Sequence, residues 1–145
     1  MIKILAIVVA SFVSLKGEAV PVCMAVTDAD AQSILGPSAK RSKDESGCQW
    51  GAGRKQINVV RIGVASMYER AQADGAEKGR NRVETGLGGT AFSTVPSADH
   101  GGRAAIYLKK GSAVLVVDVE GFAPGGAEER LAQMRDLVRK LVPKL

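Results

Sequence analysis

Few side chains in this chain have the type and spacing that catalysis requires. His100 is the only histidine, and the fold would have to bring a serine to it, because no G-x-S-x-G motif is present. Asp118 and Glu120 share one face of a predicted strand, about 6.6 Å apart along the chain, and paired carboxylates at such separations can perform acid–base hydrolysis. An exposed loop histidine and a solvated strand end are the competing interpretations, so we assign no catalytic residue.

Neither a cofactor site nor a metal site is predicted. Gly86-x-Gly88-x-x-Ala91 has the spacing of a dinucleotide-binding loop, which requires a preceding strand and a following helix. A β-rich segment follows instead, so we interpret the glycines as a sharp turn. Two cysteines and one histidine do not supply the four ligands of a typical zinc site.

Two features are candidates for contact with a partner. Trp50 would serve as a binding platform if it were exposed, although packing against a disulfide at Cys48 is the competing interpretation. Basic residues in two predicted hairpin turns form either a rim for an anionic polymer or membrane surface, or ordinary solvated turns: Arg54, Lys55, Lys109 and Lys110. Neither a basic recognition helix nor an aromatic β-platform is visible, so we expect no sequence-specific nucleic-acid binding.

The N-terminal residues 1–19 have the layout of a secretory signal peptide. Lys3 precedes an apolar run over 4–15, and small residues precede a predicted cleavage between Ala19 and Val20. The run is shorter than the roughly 20 apolar residues that span a membrane, so a membrane anchor or a buried first helix fits less well. We therefore predict an exported protein, periplasmic or secreted, with no transmembrane segment after cleavage.

The two cysteines follow this leader, and an even pair in an exported chain indicates a disulfide. A bridge between Cys23 and Cys48 would close a loop of about 25 residues and stabilise the fold by roughly 3–4 kcal/mol. Two buried free thiols are the alternative. A lipid on Cys23 is disfavoured, because Val20-Pro21-Val22 matches a lipobox poorly.

Helices are predicted at three places. Thr27 and Asp30 form a capping box for a short helix that Gly36 ends. Ser66 and Glu69 have the same spacing and predict the start of a second helix. The last helix carries an apolar stripe at helical spacing that should close the core: Ala127, Leu131, Met134, Val138, Leu141 and Val142.

Two hairpins are predicted in residues 20–145, which form a single domain. One hairpin pairs 48–50 with 56–65, and the other pairs 103–109 with 113–120 across a Lys-Gly-Ser turn. In the last strand, alternation predicts a core face and a second face that is half-apolar and partly covered. The predicted core face consists of Leu115, Val117 and Val119.

The remaining segments complete the predicted topology. Polar residues 38–47 are predicted to be a loop, 80–85 a polar approach to a possible short strand, and 91–95 a strand. The element order is then α-ββ-α-β-ββ-α. Adjacent hairpins favour an α+β fold, an antiparallel sheet of about five strands with helices mainly on one face.

Three motifs carry a resemblance to a known family: Cys23-x-x-Val26-Thr27-x-Ala29-Asp30-Ala31-x-x-Ile34-Leu35-Gly36, Gly47-Cys48-x-Trp50, and Gly86-Leu87-Gly88-x-x-Ala91-Phe92. Over most of residues 23–145 the chain resembles small exported bacterial proteins and lipoproteins of unknown function. Their members share a cysteine before a short helix, a second cysteine in C-x-W, a GLG-x-x-A turn and a closing helix. The resemblance implies a Cys23–Cys48 bridge and a compact α/β domain, but no activity.

We therefore expect a small exported protein that binds a partner, either a protein or a component of the cell envelope, and that is monomeric and not catalytic. One alternative is a small hydrolase that uses His100 or the pair Asp118 and Glu120. Another is a domain attracted to an anionic polymer or membrane surface through its basic turns. The formal net charge of +5 is a mild excess that does not distinguish these hypotheses.

Overall fold

The structure is a computed structural model that describes residues 22–42, 48–95 and 102–145. The predicted signal peptide, with its cleavage between Ala19 and Val20, lies outside the described residues. Within the described ranges, no helix is both long enough and apolar enough to cross a membrane.

The described chain forms three α-helices and one antiparallel sheet of seven strands. The helices are α1 (Asp28–Leu35), α2 (Ala65–Glu77) and α3 (Leu131–Leu141), with short 3-10 helices at Val22–Ala25, Glu128–Arg130 and Val142–Lys144. The strands are β1 (Lys40–Arg41), β2 (Gln49–Ala52), β3 (Lys55–Ile62), β4 (Asn81–Glu84), β5 (Thr90–Thr94), β6 (Ala104–Lys110) and β7 (Ala113–Glu120). Their order across the sheet is β1-β2-β3-β7-β6-β5-β4.

The α+β class is as predicted, but the sheet has seven strands instead of about five. The two additional strands are the edges of the sheet. β1 lies inside the segment predicted to be a polar loop, and β4 is the segment predicted only as a possible strand. Both are short and polar, so neither has the alternating apolar pattern that reveals a strand from sequence. Pairing with β2 and with β5, respectively, defines them.

The first face of the sheet, defined by Leu115, Val117 and Val119, carries the main core together with α1 and α3. All three side chains are fully buried, which confirms the predicted core face. All six residues of the predicted apolar stripe are buried, which confirms their place in the core, but only four lie on α3, because Ala127 precedes this helix and Val142 follows it. At the start of α1 the capping box is present: Thr27 Oγ1 accepts from the Asp30 amide, and the Asp30 carboxylate accepts from the Thr27 amide.

The second face of the sheet, defined by Val114, Val116 and Asp118, is partly covered by α2. Tyr68 on α2 packs edge-on against Phe92 of β5, with ring centroids 5.0 Å apart. The helices are therefore divided between the faces, with α1 and α3 on the first and α2 on the second. The predicted capping box at the start of α2 is wrong, because the helix begins at Ala65 without a side-chain cap.

Cys23 and Cys48 form a disulfide, with Cα atoms 5.3 Å apart. The bridge joins the first 3-10 helix to the residue that precedes β2. It therefore fixes the N-terminal segment of the described fold against the sheet, as the sequence predicted.

Candidate functional site: a charged cleft between helix α2 and the sheet

A cavity of about 270 Å³ lies between α2 and the second face of the sheet. Small-molecule sites commonly occupy about 300–1,000 Å³, so this cleft lies just below that range and suits only a very small ligand. Three alanines, Gly75 and Val95 form its apolar surface. Six polar side chains complete its lining: Asp74, Arg80, Thr94, Arg103, Tyr107 and Asp118. We refer to this cavity as the α2 cleft.

The pairing of β6 with β7 positions the central charges of the cleft. Ala105 pairs directly with Asp118, and side chains two residues apart along a strand share a face. Arg103, two residues before Ala105, therefore lies diagonally opposite Asp118 on the second face. Tyr107, two residues after Ala105, lies on the same face and lines the cleft. Strand alternation thus brings an arginine, a tyrosine and an aspartate together.

Arg103 and Asp118 form an ion pair in which a single carboxylate oxygen accepts both hydrogen bonds. Nη2 and Nε of Arg103 donate to Asp118 Oδ2 at 2.6 and 3.2 Å. The other oxygen, Oδ1, is buried and has no hydrogen-bond partner among the described residues. Asp118 is 9% exposed, whereas the Arg103 side chain is 63% exposed. The carboxylate of this ion pair is therefore buried in the protein, whereas its guanidinium is accessible to solvent.

Burial shifts the pKa values of two titratable side chains in the cleft, Asp118 and Tyr107. Desolvation raises the pKa of Asp118 above its usual range, and the neighbouring Arg103 guanidinium opposes this effect without cancelling it. Desolvation also raises the pKa of Tyr107, and the negative charge of Asp118 adds to the rise. Tyr107 consequently keeps its phenolic proton at neutral pH and can donate a hydrogen bond to a ligand.

The aromatic rings that support the cleft are held by stacking. Phe92 and Tyr107 lie parallel, with centroids 4.9 Å apart, and Tyr68 makes an edge-on contact with Phe92. Such aromatic pairs contribute about 0.5–1.5 kcal/mol each beyond their buried area. The ring of Tyr107 is therefore fixed in position before any ligand arrives.

The structure places the predicted catalytic candidates in different settings. Asp118 and Glu120 share the second face of β7, as predicted, but Asp118 is paired with Arg103 and only Asp118 lines the α2 cleft. His100 lies outside the described residues. Within the ranges that the structure describes, no group of His, Cys, Asp and Glu side chains is arranged to hold a metal ion.

The four basic turn residues are not brought together. The turn with Arg54 and Lys55 lies beside the end of β7 near Glu120, while the turn with Lys109 and Lys110 lies at its beginning. Seven residue steps along β7 separate the two turns by about 24 Å. Lys110 also donates to the Val142 carbonyl at 3.3 Å.

Trp50 and the glycine motif have structural roles in the fold. Trp50 is fully buried, with the Arg41 guanidinium 4.7 Å from its ring centroid, so it offers no exposed platform. Gly86 and Gly88 adopt φ values of 70° and 91° in the connection between β4 and β5. A strand follows them where a dinucleotide-binding loop would require a helix.

Comparison with known proteins gave no match. No protein-family model, curated protein or solved structure matched the chain. The resemblance to small exported bacterial proteins therefore stays a hypothesis, and the geometry of the α2 cleft carries the functional argument.

Among the polar residues of the cleft, only Asp118 was singled out from sequence, and Arg103 and Tyr107, which lie on the same sheet face as Asp118, were missed. Arg103 was predicted only as the first residue of a strand, and Tyr107 only as a member of it. Strand alternation places Arg103 and Tyr107 on the same face as Ala105. This alternation is the sequence signal from which their shared face could have been predicted. That α2 would cover this face was not visible in the sequence.

Proposed function

We propose that this protein is an exported, non-catalytic binding domain and that the α2 cleft is its ligand site. The observation that carries the proposal is the buried, unpartnered oxygen Oδ1 of Asp118, a residue that lines a cavity together with the exposed guanidinium of Arg103. A buried acceptor without a donor costs about 1–3 kcal/mol, and a bound ligand with a donor group would recover part of that cost.

Other features of the molecule support this proposal. The Cys23–Cys48 disulfide fits an oxidising compartment outside the cytosol, since disulfides are rare in reducing compartments. The cleft is lined by both apolar surface and converging polar groups, which is typical of sites that bind small molecules. Its supporting aromatic rings are already stacked, so little ordering would be needed on binding.

A small hydrolase that uses Asp118 and Glu120 is the second candidate function. One observation favours it, since a carboxyl group with a raised pKa is suited to act as a general acid. The ion pair with Arg103 counts against it, because the guanidinium favours the charged carboxylate, which cannot donate a proton. Asp118→Asn would abolish turnover by a hydrolase but would leave a binding domain with weakened affinity.

A ligand screen observed by ¹H–¹⁵N NMR tests the binding function. The library should contain organic acids, amines, zwitterions, neutral sugars and apolar compounds, so that it does not presuppose one chemistry. We expect at least one class to shift the amide signals of Ala105, Tyr107 and Asp118, which surround the cleft. Incubation with the same compounds should give no product.

A matched pair of variants on α2 locates the binding. Asp74 is exposed at the cleft, whereas Glu77 is exposed on the same helix outside the cleft lining. Asp74→Trp should block the cleft and abolish the shifts, while Glu77→Trp should leave them unchanged. Shifts that persist in Asp74→Trp, or a library in which no compound affects the cleft signals, would contradict the proposed function.

A further inference from the structure

We propose that the α2 cleft binds a small zwitterion of the α-amino acid type, whose carboxylate pairs with Arg103 and whose ammonium donates to Asp118. This inference rests on the proposed function and adds the class of ligand. It follows from the hydrogen-bonding capacity that the Arg103–Asp118 pair leaves unused.

The carboxylate subsite is the outer end of Arg103. A guanidinium has five N–H donors, and Asp118 accepts from Nε and Nη2 only. Nη1 of Arg103 has no hydrogen-bond partner in the part of the chain that the structure describes, and the side chain is 63% exposed. A planar guanidinium matches the geometry of a carboxylate, so this end of the side chain suits a carboxylate from solution.

The ammonium subsite is Asp118 Oδ1. This oxygen is buried and unpartnered, in a residue that is 9% exposed and lines the cavity. An ionised carboxylate oxygen only accepts hydrogen bonds, and a cationic N–H donor makes the strongest bond to it. A ligand ammonium would therefore replace the solvation that the oxygen has lost on folding.

The spacing of the two subsites favours an α-amino acid. The two subsites belong to side chains that are hydrogen-bonded to each other, with 2.6 Å between Arg103 Nη2 and Asp118 Oδ2. Nη1 and Oδ1 are the neighbouring terminal atoms of the same guanidinium and carboxylate groups. A ligand that contacts both must therefore carry its own opposite charges close together. One carbon atom separates the ammonium from the carboxylate in an α-amino acid, whereas larger zwitterions hold these groups farther apart.

The charge balance of the cleft favours the same class of ligand. Two arginines and two aspartates line the cavity: Arg80, Arg103, Asp74 and Asp118. Formally equal numbers of positive and negative groups give little net attraction for a polyanion or a polyamine. A zwitterion can satisfy both signs, and the apolar surface formed by Ala71 and Ala105 would receive a small side chain.

NMR titration of the wild-type protein tests the ligand class without requiring a variant. The probes are glycine and L-alanine as zwitterions, acetate as a carboxylate alone and ethylamine as an amine alone. We expect both zwitterions to shift the signals of Ala105 and Tyr107 with affinities at least about tenfold above those of acetate and ethylamine. Equal or weaker affinity of the zwitterions, or shifts outside the cleft, would overturn the ligand class.

Variants then assign the two ends of the ligand. Arg103→Gln should weaken binding of glycine about tenfold or more, whereas Arg82→Gln should not. Arg82 is a matched control, since it forms an exposed ion pair with Glu128, on α3's side of the sheet. Asp118→Asn removes the partner of the ligand ammonium, so it should weaken glycine binding more than it weakens acetate binding. Equal loss with Arg82→Gln and Arg103→Gln would contradict the assignment.

The failure of the ligand class is distinguishable from the failure of the proposed function. If a sugar or an apolar compound from the screen binds in the cleft and glycine does not, the zwitterion assignment is wrong and the binding function stands. If no compound in either experiment reaches the cleft, both are wrong.

Discussion

Glu84 and Asp118 are both buried carboxylates paired with an arginine, yet their pKa values are shifted in opposite directions. Arg135 donates to both oxygens of Glu84, at 2.7 and 2.9 Å, and Ser93 adds a third hydrogen bond at 2.8 Å. These bonds lower the pKa of Glu84 despite burial. Asp118 has one unpartnered oxygen, and desolvation raises its pKa. The Glu84–Arg135 pair, in which both carboxylate oxygens are hydrogen-bonded, therefore stabilises the fold. The Asp118–Arg103 pair leaves one carboxylate oxygen that can accept a hydrogen bond from a ligand.

Glu84→Gln should reduce the free energy of unfolding by about 2 kcal/mol at neutral pH, because it leaves Arg135 without its charged partner. The pKa of Glu84 is below its usual value near 4.5 in the folded state. Its contribution is therefore fully present above that value and is lost as the pH falls through the lower folded pKa. The difference between variant and wild type should shrink accordingly in acid.

Urea unfolding followed by the fluorescence of Trp50, the only tryptophan, measures this effect across pH. Glu128→Gln is the control, because Glu128 is 45% exposed in its pair with Arg82 and exposed pairs contribute only about 0–1 kcal/mol. A loss for Glu84→Gln that is the same at every pH would show that the carboxylate charge is not responsible.

At the scale of elements, the turn after β7 depends on a glycine. Gly121 has a φ of 85°, and a Cβ there would overlap the Arg54 carbonyl oxygen. Gly111, in the turn between β6 and β7, has a φ of 60° but open space around it. Of these two turn glycines, Gly121 alone combines a positive φ with the close approach of another backbone segment.

Gly121→Ala should destabilise the fold by about 2 kcal/mol more than Gly111→Ala. Both substitutions incur the cost of a left-handed alanine, about 1–2 kcal/mol, but only the first forces the β2–β3 turn to move. Thermal unfolding of the two variants gives the comparison. Equal losses would mean that conformational strain alone determines the role of Gly121.

The elements that could be predicted from sequence are those whose pattern is local. The stripe on α3 and the alternation in β7 each repeat several times, so their apolar faces were assigned correctly. β1 consists of Lys40 and Arg41 alone, and its strand conformation follows from pairing with β2. Short polar segments take their conformation from the sheet, which the local sequence does not encode.

The α2 cleft could not be predicted from the sequence, because it also depends on contacts between distant segments. The pairing of Arg103 with Asp118 depends on the register between β6 and β7. The burial of Asp118 depends on where α2 crosses the second face, and this is a tertiary feature. The sequence predicted a partly covered second face but interpreted Asp118 as solvated, whereas the structure shows it buried.

At the scale of the whole molecule, the disulfide links the N-terminal segment to the sheet over a separation of 25 residues. The double variant Cys23→Ala/Cys48→Ala should lower the free energy of unfolding by roughly 3 kcal/mol, because the unfolded chain gains conformational freedom. Chemical denaturation of oxidised and reduced wild-type protein should show a similar difference. Unchanged stability in both measurements would contradict a stabilising role for the bridge.

The strand order has a consequence for how the chain folds. Strands β1 to β3 and strands β4 to β7 are two consecutive meanders, and they meet only where β3 pairs with β7. Contacts within each meander are local in sequence. The β3–β7 pairing, which we call the seam, instead joins strands that are separated in the chain by α2 and by β4 to β6. Because closing a long loop is slow, we expect the seam to form last. Cys23 precedes β1 and Cys48 precedes β2, so the disulfide can form before the second meander is complete.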